Sequence, residues 1–183
     1  MTESRALALS DFDQGQLDII RNTICTGASV AEINFFLAVC NRTRLDPFKR
    51  QIYGIMRRPK QGEDPVLVIQ VGIDGYRLMA ARSQDYAGQD APEFGPEVDG
   101  HPEWARVTVY KIVRGMRVPF VGEVRWNEYY PGQLLGAMWL KMPHNQLSKC
   151  GEALAIRKGG LLNDDDLAQL EFDPTDGAHL IET

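Results

Sequence analysis

Residues 104–113 alternate in character, with Val107, Val109 and Lys111 set against Arg106, Thr108 and Tyr110. A period of two is that of a half-buried β-strand. A second run, 117–126, follows across the turn Arg114-Gly115-Met116, so the pair reads as an antiparallel hairpin. Few folds satisfy such a hairpin, because two strands alone are marginal in water and their apolar face must be covered by other elements. The rest of the chain has to supply that cover.

Helical segments are available for it. Leu17, Ile20 and Ile24 recur at helical spacing within residues 11–26, with Ser10 or Asp11 as the cap. Ser29 followed by Glu32 is a capping-box pattern, and Ile33, Phe36, Leu37 and Cys40 form one stripe of a second helix over about residues 30–41. Asp46-Pro47 stops helical character, since the residue before proline is pushed toward extended conformations. Residues 50–57 and 66–71, rich in Ile, Val and Tyr, then flank a run of turn formers and read as a second hairpin. Residues 73–83 fit a short helix entered through Gly72, and 86–102, dense in Gly, Pro and Asp, reads as a long surface loop. Leu147, Cys150, Gly151, Leu154 and Ala155 place an amphipathic helix over about residues 144–158, ended by Gly159-Gly160. On it Lys149 is expected opposite the apolar stripe and Arg157 at its flank, leaving one face free.

The order helix, helix, hairpin, helix, hairpin, helix predicts an α+β domain: an antiparallel sheet built from the two hairpins, with helices packed on it. We expect one domain, residues 1–162, and an acidic C-terminal tail, 163–183, that is partly disordered. No apolar run approaches the roughly 18 residues that span a bilayer. The first ten residues lack an export pattern, so the cytoplasm is the expected compartment. Cys25, Cys40 and Cys150 are odd in number and show no metal-ligand spacing, so each is expected to be a buried free thiol.

The net charge of −5 argues against a nucleic-acid binder only as an average. Residues 163–183 hold seven acids and no Lys or Arg; without them the chain has 20 basic residues against 18 acidic, a charge of +2. Arg42, Arg44, Lys49, Arg50, Arg57, Arg58 and Lys60 cluster within 42–60 against the single acid Asp46. A local positive field is therefore expected on a chain that is acidic overall.

Enzymes need a constellation of groups. His101, His144 and His179 are far apart, and no metalloprotease, nucleophile-elbow or phosphate-loop motif occurs. No catalytic residue, metal or cofactor is expected. Asp74, beside Gly72 and Gly75, reads as part of a structural turn, and the acids at 164–166 as a solvated tail. A metal-dependent DNA-processing nuclease using Asp74, Glu128 or those acids is the rival reading, and an assembly protein with no DNA role is a third. Single strands are held without sequence preference by cationic grooves assisted by rings on which bases stack. Candidate cations are Arg57, Arg58 and Lys60 at one hairpin tip, Lys111, Arg114 and Arg117 at the other, Lys141, Lys149, Arg157 and Lys158 around the last helix, and Arg77 one turn into the helix at 73–83. Tyr53, Trp139 and Tyr76 are the candidate base platforms.

Five blocks of wording, in order over about residues 30–158, narrow this further. They are Asn41-Arg42-Thr43-Arg44-Leu45-Asp46-Pro47-Phe48-Lys49-Arg50-Gln51-Ile52-Tyr53, Ile69-Gln70-Val71-Gly72-Ile73-Asp74-Gly75-Tyr76-Arg77, Tyr86-Ala87-Gly88-Gln89-Asp90 with Val107-Thr108-Val109-Tyr110, Met138-Trp139-Leu140-Lys141-Met142-Pro143, and the run from Leu147-Ser148-Lys149-Cys150-Gly151-Glu152 to Arg157-Lys158. Together they resemble the RecT/Bet family of phage recombination proteins. The resemblance implies ATP-independent annealing of single-stranded DNA in a basic groove formed across the subunits of a homo-oligomeric ring or filament. It also implies action in a phage-infected or lysogenic bacterial host, with a phage exonuclease and the host single-strand binding protein as partners. By matching motifs it carries DNA contact onto Lys141, Lys149 and Arg157, and less directly onto Arg57, Arg58, Lys60 and Lys111. The chain departs from the family after Lys158, where Gly159-Gly160 and the acidic run replace an Ala-Phe-Pro type segment.

Overall fold

A computed structural model of the chain describes residues 13–58, 64–133 and 136–162; Lys60, His179 and the acidic segment 163–183 lie outside the described residues. The fold is α+β with antiparallel sheets, and it divides into two compact units between Val71 and Gly72. Among the described residues no helix is long and apolar enough to cross a membrane.

In the first unit, helix α1 (Gln14–Ile19) opens on Asp13, whose carboxylate accepts from the Gln16 amide at 2.8 Å while the Gln16 side chain accepts from the Asp13 amide at 3.0 Å. The helix then widens into a π turn over Ile20–Ile24, closed by the Cys25 amide on the Ile20 carbonyl at 2.7 Å. Helix α2 (Val30–Thr43) begins at the expected Ser29/Glu32 box and buries Ile33, Phe36, Leu37 and Cys40. The helix ends at Arg44 in the left-handed region, φ 54°, and Asp46-Pro47 then starts a single 3-10 turn, Pro47–Lys49, with the Asp46 carboxylate taking the Phe48 amide at 2.9 Å. Strands β1 (Ile52–Arg57) and β2 (Val66–Val71) pair from Ile52↔Val71 to Arg57↔Val66. Gly54 lets β1 come down onto its neighbours, because a Cβ there would lie 2.6 Å from Cys25 Sγ and 3.3 Å from the Phe36 ring.

The second unit opens with α3 (Ile73–Arg82), then β3 (Tyr86–Gln89), β4 (Glu93–Phe94), β5 (Glu97–Val98) and β6 (His101–Pro102). The long strands β7 (Trp104–Val113) and β8 (Met116–Arg125) follow, then α4 (Trp126–Tyr129), α5 (Ala137–Lys141) and α6 (Pro143–Lys158). Strand β7 is the middle of the sheet: β8 runs along one side of it, β3 and β4 along the other. Its tight turn to β8 places Arg114 and Gly115 at φ 50° and 78° between the pair Val113↔Met116, the backbone that a two-residue hairpin loop requires.

Two expectations about this region change. Residues 86–102 are not a plain loop but carry four short strands, with Asp99-Gly100 turning β5 into β6 at φ 51° and 83°. Strands of two to four residues broken by Pro and Gly are too short to show a period. The two hairpins also belong to separate sheets, β1–β2 forming a two-stranded sheet of its own.

Helix α6 covers the inner face of the β7–β8 ribbon. Ala105, Val107 and Val109 alternate inward on β7, as the sequence indicates, opposite Val124, Gly122 and Phe120 on β8. The approach is close because it is glycine on glycine: a Cβ at Gly122 would collide with the Gly151 carbonyl oxygen and lie 2.7 Å from the Ala155 nitrogen. At one end of the ribbon Ala105, Val124, Trp126, Trp139, Leu147 and Cys150 form a core, with Phe94, Tyr129, Tyr130 and Leu154 packed against it. Helix α6 does not leave one face free. Gln146, Leu147, Cys150, Gly151, Glu152, Ala153, Ala155 and Ile156 are all buried, which places buried positions around its whole circumference.

Candidate nucleic-acid interface

Between α3 and α6 three charged side chains meet, Arg77, Asp74 and Glu152. Arg77 grips Glu152 through two parallel bonds, Nε to Oε1 at 2.7 Å and Nη2 to Oε2 at 2.8 Å, the forked geometry in which guanidinium and carboxylate match best. Glu152 is 6% exposed and Arg77 49%, so the pair has a buried end and a wet end. At the wet end Nη1 meets Asp74 Oδ1 at 3.2 Å, with Asp74 60% exposed. Lys149, one turn before Glu152 on α6, is half-buried; its ammonium is held below its ordinary value by burial, Asp74 opposing and Arg77 adding to that shift. Glu152 raises the Arg77 pKa by accepting its hydrogen bonds. The same carboxylate, after burial itself, pushes the Tyr86 phenol up.

The other candidate cations fall into different settings. Lys111 points to the inner side of the sheet and donates to the Gly160 carbonyl at 3.0 Å, capping the C-terminal end of α6, where a cation is favoured. Lys158 wraps to the strand edge and donates to the Val121 carbonyl at 3.1 Å. That bond and the missing N–H of Pro119, two residues before, blunt the free edge of β8. Lys149 and Lys158 are nine residues apart at about 100° each, so they leave α6 in opposite directions. Arg114 stands exposed at the hairpin tip. Arg117, on the outer sheet face, lies over the Tyr110 ring at 3.3 Å and donates to the Ala87 carbonyl at 3.3 Å. Arg157, half-buried in the last turn of α6, acts electrostatically on Tyr129, and Lys141 is exposed at the end of α5. In the first unit Arg57 is half-buried at the end of β1 and Arg58 exposed just beyond it.

The three expected base platforms are core residues. Tyr53 is 8% exposed, and Tyr76 and Trp139 are 0% exposed. A ring closed to solvent offers no face to a base, so that expectation is corrected. Partly exposed rings stand instead on the outer sheet face: Trp104 with the Arg106 guanidinium 5.1 Å from its centre, and Tyr110 under Arg117. They were legible in principle, as the outward members of the β7 alternation. Arg106 is tied to Glu123 at 2.8 Å and to Glu93 at 3.5 Å, so that face carries paired rather than open charge.

Groups with reactive chemistry are occupied elsewhere. His101 stacks on Trp126 at 4.1 Å, and His144 Nε2 meets Glu97 at 2.7 Å. All three cysteines are free and buried as expected, and burial raises the Cys25 thiol to about 12 and the Cys40 thiol further, which leaves them inert. Among the described residues no group of three or more His, Cys, Asp or Glu side chains could hold a metal ion.

No curated protein and no solved structure matches the chain. A family model described as the RecT family matches residues 10–175, which takes in both units, the forked pair between α3 and α6 and every candidate cation. The blocks of wording and the family model agree, and the chain belongs to the RecT family.

Proposed function

We propose that this chain is a single-stranded DNA-binding recombinase that anneals complementary strands in phage homologous recombination without ATP. The observation that carries the reading is the match to the RecT family over residues 10–175. The strand would lie in a basic groove completed by neighbouring copies in a ring or filament. Lys141, Lys149, Arg157 and the wet end of Arg77 line the α3–α6 side of it. Lys111, Lys158, Arg114 and Arg117 are further proposed phosphate contacts of the second unit, and Arg57, Arg58 and Lys60 are those proposed for the first hairpin. Lys158 gives one donor to a carbonyl, and its ammonium has two more to offer a phosphate; Lys111 gives one to a carbonyl and has Asp85 at 4.0 Å.

Annealing of this kind needs no acid, base or nucleophile. The cations hold phosphates and screen their repulsion; base stacking in the new duplex, about 1.4 kcal/mol per step, drives pairing. A phage exonuclease that exposes the strand and the host single-strand binding protein are the partners this role calls for.

Binding should be dominated by counterion release. If each protomer neutralises about four phosphates, the logarithm of the binding constant falls by about 2.8 per tenfold rise in salt. Fluorescence anisotropy with labelled oligo-dT from 50 to 400 mM salt tests this, with a Lys141→Ala/Lys149→Ala/Arg157→Ala variant alongside. Loss of about two units of slope in the variant supports the reading; wild-type binding indifferent to salt contradicts it. The nuclease alternative predicts that magnesium or manganese shortens the labelled strand, and an intact strand speaks for annealing.

A further inference from the structure

Arg77 holds Glu152 through Nε and Nη2, and at its wet end Nη1 donates to the exposed carboxylate of Asp74 at 3.2 Å. The half-buried Lys149, one turn before Glu152 on α6, is within electrostatic range of both Arg77 and Asp74. One guanidinium thus holds two carboxylates, and the carboxylates differ. Glu152 is buried and fixes the plane of the guanidinium, whereas Asp74 reaches in from the first turn of α3 and remains largely in water. A carboxylate in water is weakly held by a half-exposed partner. A phosphate offers the same guanidinium more acceptor oxygens.

We propose that Asp74 is a built-in counter-ion that occupies the phosphate position of Arg77 in the free protein and is displaced by a backbone phosphate of the bound strand, while Glu152 is the positioning residue that keeps Arg77 aimed at that position. The inference rests on the single-strand binding proposed above and deepens it, since it names a residue that sets the affinity of the site rather than one that contributes to it. Asp74 keeps the position satisfied but lowers affinity, so that the strand remains exchangeable during the search for its complement.

The test is Asp74→Asn, which keeps the size of the side chain and removes the competing charge. Asp99→Asn is the control: Asp99 is exposed in the β5–β6 turn at φ 51°, a conformation that Asn tolerates, and the net-charge change is the same. With labelled oligo-dT at low salt, Asp74→Asn should bind about fivefold tighter than wild type, the value of one unit-charge interaction at about 4 Å in water. Its salt slope should stay that of wild type, because the same phosphates are neutralised in both complexes. Asp99→Asn should match wild type. Asp74→Asn binding no tighter than wild type, or Asp99→Asn gaining as much, overturns the inference and leaves the proposed function standing. Failure of wild type, Asp74→Asn and Asp99→Asn alike to bind the oligonucleotide overturns the proposed function and the inference with it. A direct view comes from the Asp74 carboxyl in 13C NMR: its resonance should shift toward that of a solvent-exposed carboxylate on saturation with oligo-dT, and an unmoved resonance would count against displacement.

Discussion

Arg77 and Glu152 are 75 residues apart in the chain, and their pairing is the feature that makes a site of α3 and α6. Removing one partner of a buried pair costs about 3–5 kcal/mol because the other charge is stranded. Arg77 is half in water, so the loss for Arg77→Ala belongs nearer about 2–3 kcal/mol. Urea unfolding measures it, and a change below about 0.5 kcal/mol would mean that water already satisfies Glu152. A second residue-level outcome concerns pH. The Ser29 backbone amide and hydroxyl hold the Glu32 carboxyl below its ordinary value. A carboxylate with a depressed folded value stabilises the helix start above the ordinary carboxylate range, about 4.3, and that help is lost as pH falls through the lower folded value. Amide exchange at Ser29 and Glu32 should therefore quicken in acid beyond the intrinsic trend, and should not do so in Glu32→Gln. The capping box could be read from Ser29 and Glu32 alone because it is local. The forked pair could not: no periodicity or spacing couples position 77 to 152. For the same reason Tyr53, Tyr76 and Trp139 looked like platforms until their burial was known.

At the scale of elements, β7 and β8 were legible because the alternation along β7 from Ala105 to Val109 is that of a half-buried strand, and their turn carries glycine where φ is positive. Strands β3 to β6 were not, since four residues or fewer give no period. Helix α6 was legible as a helix but not as one buried all round, because its extra buried positions include Ala153 and the polar Gln146 and Glu152, which no apolar stripe reveals. The glycine contact that seats α6 on β8 gives a sharp expectation. Gly122→Ala would drive a methyl group into the Gly151 carbonyl, and overpacking of this kind against backbone should cost about 3 kcal/mol or more. Thermal melting reads it; a variant that melts with wild type would show that the helix can slide away from the strand at no cost.

For the whole molecule, five blocks of wording pointed to the family before any contact was known, and the family model over residues 10–175 bears that out. Charge was the misleading global quantity, because a −5 average conceals a chain that is +2 without its last 21 residues. Candidate cations of the second unit stand in several settings, among them the α3–α6 cluster, the carbonyls that Lys111 and Lys158 hold, the hairpin tip with the outer sheet face, and the ends of α5 and α6 that carry Lys141 and Arg157. The α3–α6 cluster presents the Arg77 guanidinium, with Lys149 one turn from its partner Glu152, and the proposed strand contact is placed there. Stopped-flow fluorescence of two complementary labelled oligonucleotides, mixed at low salt with and without the protein and without ATP, decides whether that assignment has a function behind it. Duplex formation should accelerate by at least tenfold with wild type and lose most of that gain in the Lys149→Ala/Arg157→Ala variant; pairing no faster with the protein than without it would contradict the annealing function outright.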